Sequence, residues 1–369
     1  MTTDAFYDTL FVMMLPGVGP AKTEKLRALY GSLGEVKRLT SRRLDDCRIL
    51  GEEAREAIRS GEAARAADRS AGLIERENLS VCLKGDPNYP VRLLEMENPP
   101  EMLFFRGRMK ADEKCVCVIG TRACTNYGRQ VAMEIGRRCA EQGLSTVSGL
   151  AEGIDGVVHG STSEAGGRTV AVLAGNPENP YPESNRRLIG PIVKNGGCVL
   201  SEVPPGKKIS RGDFIVRNRI IAGLGTVMII VEAGEKSGCF SALDYMNSVG
   251  RDIYAVPGNI TSARSLGTNK MLQQGARVYT SFDDFLVDSG LGTVTLSRER
   301  FTSSGIEMTN MDRQVLAGLA GEPRTLEQLS EEMMIDPDSV SQSLTFLTLY
   351  GEAVEISPGR FVKKQRSEC

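Results

Sequence analysis

Cys115-Val116-Cys117-Val118-Ile119-Gly120-Thr121-Arg122-Ala123-Cys124-Thr125-Asn126-Tyr127-Gly128 is apolar to Ile119, then breaks at a glycine into a loop of small, hydroxyl and charged residues. An apolar run without alternation is what a parallel strand covered on both faces requires. The unit recurs. Runs at 116–121, 144–148, 169–174, 198–203, 226–233, 252–256 and 277–280 predict strands, and helix-length segments separate them. That alternation predicts an α/β fold, a doubly wound sheet, over residues 79–290.

On the N-terminal side, residues 1–78 read as a helical domain. Stretches 4–15 and 21–30 carry helical periodicity around the turn Leu15-Pro16-Gly17-Val18-Gly19-Pro20, and an Ala-, Arg- and Glu-rich helix follows at 52–78. The turn resembles that of a helix-hairpin-helix, whose outward N–H groups hold one backbone phosphate. A purely structural hairpin with a glycine-rich bend is the alternative. On the C-terminal side, 291–307 has linker composition. Stretches 311–319, 326–334 and 337–350 predict three helices and 353–362 a hairpin, together a winged helix spanning 308–369.

The bulk composition limits the function classes. The 369 residues carry a net charge of −2, with 41% hydrophobic and 25% charged residues, an ordinary globular balance. No run approaches the ~18 apolar residues of a membrane span, and Met1 to Phe6 lack the basic start of a signal peptide, so a cytoplasmic protein away from membranes is expected. The nine cysteines are odd in number, scattered, and form no CxxC pair. The single histidine, His159, has no cysteine at ligand spacing. Reduced core thiols, without a metal site or disulfide framework, are expected.

In an open α/β sheet, ligands sit beyond the C-terminal ends of the strands. The residues there are 120–128, 148–155, 174–176 with the turn Tyr181-Pro182-Glu183-Ser184-Asn185, and 232–238. Glycine and hydroxyl residues recur at this one rim, the chemistry of backbone amides cradling phosphate. There is no GxGxxG and no Gly-Lys-Ser/Thr loop, so no nucleotide cofactor is expected. Segment 207–219 (KKISRGDFIVRNR) holds five basic residues and one acidic one in a slightly acidic chain. Arg217 and Arg219 are read as opening a helix, where cations oppose the macrodipole unless an anion sits there. Phe214 among arginines is the composition that stacks unpaired bases while neutralising phosphates. The bland reading is a solvated loop with Phe214 tucked into the core.

Together these segments resemble the DNA-processing protein A (Smf) family over about residues 80–280. The resemblance rests, in chain order, on Tyr89-Pro90, 100–107, the loop 118–128, Ser148-Gly149-Leu150-Ala151 with Gly153-Ile154-Asp155 and His159, and Tyr181-Pro182 with Asn185. Ser201-Glu202, 217–223, Ser237-Gly238, Pro257-Gly258, Gly267, Asn269 and Gly275-Ala276 continue it. The resemblance implies a Rossmann-like core that binds single-stranded DNA, pairs with a second copy of itself, and loads RecA recombinase onto the strand in natural transformation or related recombination. It implies DNA contacts at Arg122, Phe214, Arg217 and Arg219, with Ser148, Gly149 and Ser237 lining the groove. Thr121, Arg211, Asn218 and Gly238 complete the expected DNA-binding set. Glu152 stands where the family commonly has Arg, Ile215 replaces a common Pro, and Glu183 adds an acid near the rim.

Two rivals come from other classes. Nucleoside-monophosphate phosphoribohydrolases share the core but use a Pro-Gly-Gly-x-Gly-Thr-x-x-Glu loop, which 231–238 lacks. Glu232 is a remnant of it or structural, and no nucleophile motif accompanies His159, so catalytic residues are not expected. A duplex-reading regulator would need Arg, Lys, Asn or Gln on its recognition helix. Segment 337–350 has no Lys or Arg, and 308–350 carries seven acidic residues against two basic ones. That surface suits a protein contact.

Overall fold

The computed structural model of the chain describes residues 3–177, 180–292, 308–349, 352–357 and 359–363. They divide into two units, Met1–Gly292 and Thr293–Cys369.

The first unit begins with six helices: α1 (Thr3–Met13), α2 (Pro20–Tyr30), α3 (Gly34–Lys37), α4 (Ser41–Asp46), α5 (Glu52–Arg59) and α6 (Glu62–Arg76). Gly17, at φ +65°, makes the bend between α1 and α2 that a residue with a Cβ resists. Pro20 opens α2, where its missing N–H leaves no bond unmade. Leu10, Leu26, Val36, Leu44, Ala54 and Ala67, one from each helix, are buried in a common core, which Met102 and Phe104 of the neighbouring sheet also enter.

The sheet has nine strands: β1 (Ser80–Leu83), β2 (Met102–Gly107), β3 (Cys115–Ile119), β4 (Ser145–Ser148), β5 (Thr169–Val172), β6 (Cys198–Ser201), β7 (Val227–Ile230), β8 (Ile253–Ala255) and β9 (Arg277–Val278). Their order is β1-β2-β6-β5-β4-β3-β7-β8-β9, and from β6 to β9 all neighbours are parallel. The antiparallel pair β1 and β2 extends the β6 edge, an addition to the parallel sheet that the sequence predicts. β1 is followed only by a 3-10 turn (Val91–Glu95), and β2 leads into β3 with no helix between them, so neither heads a βα unit. Helices α7 (Asn126–Glu141), α8 (Ile154–Glu164), α9 (Ile189–Lys194), α10 (Arg211–Leu224), α11 (Cys239–Ser248), α12 (Leu266–Gln273) and α13 (Phe282–Asp288) connect and cover the strands. Along β5, Val170 and Val172 enter one apolar cluster and Ala171 another, the period-two alternation that places them on opposite faces. Strand order turns at β3: β4, β5 and β6 step away on one side and β7, β8 and β9 on the other. The crevice between β3 and β7 is therefore the switch point where such sheets hold ligands.

The second unit has helices Asn310–Gly318, Leu326–Met333 and Pro337–Leu349 with a small antiparallel sheet of Arg324–Thr325, Arg360–Lys363 and Ala353–Ser357 in that order. Val315, Leu319, Leu329, Val340, Leu344 and Leu347 form its core. Thr309 with Asp312, and Thr325 with Gln328, close capping boxes on the first two helices. Most of the expected linker, 293–307, lies outside the described residues.

Cys115, Cys117, Cys139 and Cys198 are buried, and burial pushes their thiols up, Cys117 and Cys198 to about 12 each. Among the described residues no helix is long and apolar enough to cross a membrane, and no cluster of metal-ligating side chains is present.

Candidate nucleic-acid interface

The switch point is already filled by a carboxylate. Glu232, at the end of β7, is 2% exposed and accepts from the Thr125 N–H at 2.9 Å and from the Thr125 hydroxyl. Thr125 caps α7, so the anion that a helix N-terminus attracts is supplied here by the chain itself. A Cβ on Gly128 would collide with this carboxylate, which accounts for the glycine in the first turn. His159 lies beneath the neighbouring loop, fully buried, with Nδ1 2.7 Å from the Thr169 hydroxyl. Burial first, and the charge of Arg217 second, lower its pKa to about 3, so it is neutral.

The expected DNA-binding residues separate into an outer and an inner set. Arg122 is exposed, and among the described residues its guanidinium makes no hydrogen bond or ion pair. It lies 5.7 Å from the ring centroid of half-buried Phe214. On the same ring, Tyr181 packs edge-on with centroids 6.1 Å apart and planes at 83°. Tyr181 is 63% exposed. A cation over one aromatic face and a second ring at its edge thus stand open at the C-terminal ends of β3 and β5. Cation–π attraction of this kind holds the side chains together while leaving them room for a base. Tyr181 is absent from the set predicted from sequence. Its signal was its position, an aromatic in the turn after a parallel strand.

The inner set is turned away from solvent. Arg217 is 8% exposed and donates to the carbonyls of Gly149 and Val172, both at 2.6 Å. Asp155, also buried, accepts from the Gly149 N–H at 3.1 Å and balances the charge of Arg217. Desolvation raises the Asp155 pKa and lowers that of Arg217, each opposed by the other's charge. Arg219 is 6% exposed, paired with Glu202 and bonded to the Asn98 carbonyl. The Ser148 hydroxyl donates to the Val118 carbonyl at 2.6 Å. Asn218 bonds the Gly238 carbonyl and the Ser241 hydroxyl, and the Ser237 hydroxyl caps the Cys239 N–H. Thr121 is half-buried, with its hydroxyl near Arg264. Arg211 begins α10, and its side chain lies outside the described residues.

The placement of Arg217 and Arg219 follows from where α10 starts. Sequence reading opens the helix at Arg217. It opens earlier, at Arg211, because Ser210 and Asp213 form a capping box, with Asp213 accepting from the Ser210 N–H at 2.6 Å and its hydroxyl at 2.9 Å. Both arginines therefore sit inside the helix and are buried on different sides of it, Arg217 turned to Gly149 and Val172 and Arg219 to Asn98 and Glu202, and Phe214 is left at the rim. Of the family departures, Glu152 is exposed and accepts from the Ser184 hydroxyl at 2.8 Å, while Ile215 is 55% exposed beside Phe214.

Residues 80–290 match the family model of DNA recombination-mediator protein A. The chain is similar to a DNA processing protein DprA of Mycobacterium tuberculosis, 31% identical over 330 residues and 84% of each chain. DprA of Bacillus subtilis is 38% identical over 198 residues, 53% of this chain and 66% of that one. Among solved structures, DNA processing protein A of Streptococcus pneumoniae matches with a TM-score of 0.61 at 30% identity, over 78% of this chain and 99% of that one. The Helicobacter pylori protein, described for its single-stranded DNA binding mode, matches with a TM-score of 0.52 at 27% identity, over 57% and 94%.

Proposed function

The chain belongs to the DNA recombination-mediator protein A family, and we propose that it binds single-stranded DNA across the rim of its sheet and loads a RecA recombinase onto the strand. The observation that carries this is the open cluster of Arg122, Phe214 and Tyr181, a free cation and two stackable rings on a rigid edge. Unpaired bases offer π-faces for such rings, and duplex bases do not. The relation to the Helicobacter pylori protein supports the same substrate. Thr121, Asn218, Ser237 and Gly238 border the surface. Arg217, Arg219, Ser148 and Gly149 act from beneath, fixing the loops that present Arg122 and Phe214.

In this reading the protein is a cytoplasmic homodimer that performs no catalysis. The carboxylate a phosphoribohydrolase would use is engaged by Thr125, and the one histidine is buried and neutral. Residues 1–78 form a helical domain, 79–290 the strand-binding core, 291–307 a linker and 308–369 a winged helix that contacts protein.

The test is to measure the affinity of variants for a fluorescent oligothymidylate at several salt concentrations. Phe214→Ala loses roughly 1–3 kcal/mol with an unchanged salt slope. Arg122→Ala weakens binding and flattens the slope by about 0.7. Folded variants that both bind like the parent would put the strand elsewhere.

A further inference from the structure

We propose that the strand-binding surface continues past the loop after β3 onto the loop after β8, where Arg264 and Tyr127 take the phosphate and base of a further nucleotide. The inference rests on the strand reading above and adds to it a second cation and a third ring.

Arg264 lies in the segment that joins β8 to α12. It is half-buried, and among the described residues its guanidinium makes no ion pair and one hydrogen bond, a long contact of 3.4 Å to the Thr121 hydroxyl. Most of its five N–H donors are therefore open to an outside acceptor. Arg138, Arg168, Arg219 and Arg251 each meet a carboxylate instead. Around Arg264 the chain supplies none. Residues 120–128 hold no Asp or Glu, and neither do residues 253–282, although 25% of the whole chain is charged. Glu232, whose backbone carbonyl accepts from the Thr121 N–H, has its carboxylate engaged by Thr125. A cation in an acid-free surface attracts phosphate.

Position assigns that phosphate to the strand. Thr121 precedes Arg122, whose guanidinium lies 5.7 Å from the Phe214 ring centroid. Two cations thus bracket one loop, Arg122 reaching toward α10 and Arg264 arriving from β8, beyond β7. A strand with a base on Phe214 and a phosphate at Arg122 reaches Arg264 by crossing this loop. Tyr127 supplies the ring. It stands in the first turn of α7, 48% exposed, and its hydroxyl donates to the Pro257 carbonyl at 3.1 Å, tying the ring to the loop that carries Arg264. That loop is braced by Asn269, which bonds the N–H and the carbonyl of Gly258 at 3.2 and 3.0 Å. Ile260 in the same loop is 81% exposed, an apolar contact for a sugar or base. Cation, ring and apolar contact on a braced loop form the combination that holds unpaired nucleotides.

The test is a length series of fluorescent oligothymidylates titrated into the full-length protein at several salt concentrations. Affinity of the parent rises with length until both cations are engaged. Arg264→Ala reaches its plateau at a shorter length, with the salt slope reduced by about 0.7. Arg264→Gln, which can keep the bond to Thr121, shows the same loss, and Arg264→Lys keeps the parent slope; an arginine that only held the loop would give neither result. Tyr127→Ala weakens long oligonucleotides about tenfold and short ones little, while Tyr127→Phe, which lacks only the hydroxyl, stays within a few-fold of the parent. Arg122→Ala and Phe214→Ala weaken every length. If those two are weakened while Arg264→Ala and Tyr127→Ala keep the parent's length dependence and slope, this extension is overturned and the rim reading stands. An unchanged slope in Arg264→Gln overturns it equally. Parent-like binding by all four alanine variants removes the strand from the rim, and this extension with it.

Discussion

Arg219 carries its charge to a place that water does not reach, and Glu202 meets it there with a carboxylate that burial alone would push toward the neutral form. Separating such a pair costs more than the pair contributes, because the partner left behind remains buried and charged. Arg219→Ala is therefore expected to destabilise the fold by roughly 3–5 kcal/mol, read from urea denaturation, while Arg219→Met combined with Glu202→Leu recovers most of the loss. The contrast with Arg122 is one of environment. Arg122 makes no hydrogen bond or ion pair among the described residues and lies over Phe214. An arginine in this segment reads the same in the sequence whether it faces phosphate or carboxylate. What buries Arg217 and Arg219 is the helical phase set by Ser210 and Asp213, whose capping box was legible but lay within a stretch read for its charge. An Arg219→Ala variant as stable as the parent would remove the structural role.

At the scale of elements, the loop after β3 is held by the loop after β4. Ile154 donates to the Thr121 carbonyl, and Gly153 passes so close that a Cβ there would strike the carbonyls of Thr121 and Arg122. Gly153 also sits at φ +76° and ψ −129°, a region essentially closed to other residues. Gly153→Ala is expected to cost about 1–3 kcal/mol of stability and to weaken strand binding as much as Arg122→Ala does, since it displaces the peptide that aims Arg122. Thermal melts and strand titrations of this variant check both parts; wild-type binding by a destabilised Gly153→Ala would show that the loop's position does not matter. Most of the parallel strands were legible as buried, mainly apolar runs; β9, the exposed pair Arg277–Val278, is the exception among them, and β4 is buried but carries Ser145 and Thr146. β1 and β2 were not legible, since Ser80–Leu83 and Met102–Gly107 owe their pairing to the edge of β6 and to the helical core beneath them. The meeting of Tyr181 with Phe214 was also out of reach, because it joins the turn after β5 to the start of α10 across the fold.

At the scale of the molecule, charge is distributed by unit. The segment 308–350 carries seven acidic and two basic residues, which repel a phosphate backbone. Its helix Pro337–Leu349 buries Val340, Leu344 and Leu347 and has no lysine or arginine. Deleting 293–369 should leave strand affinity within a few-fold of the full chain by fluorescence anisotropy; sequence-preferring duplex binding by the isolated C-terminal segment would argue for a regulator instead. The proposed function requires the rim to recognise unpaired bases and phosphate together. Its most direct measurement is affinity for single-stranded and duplex oligonucleotides of equal length, titrated in parallel over a range of salt. Strong preference for the single strand is expected, with little dependence on sequence and log K falling with log salt at about −0.7 per phosphate neutralised. Equal affinity for the duplex, or single-strand binding indifferent to salt, would contradict it.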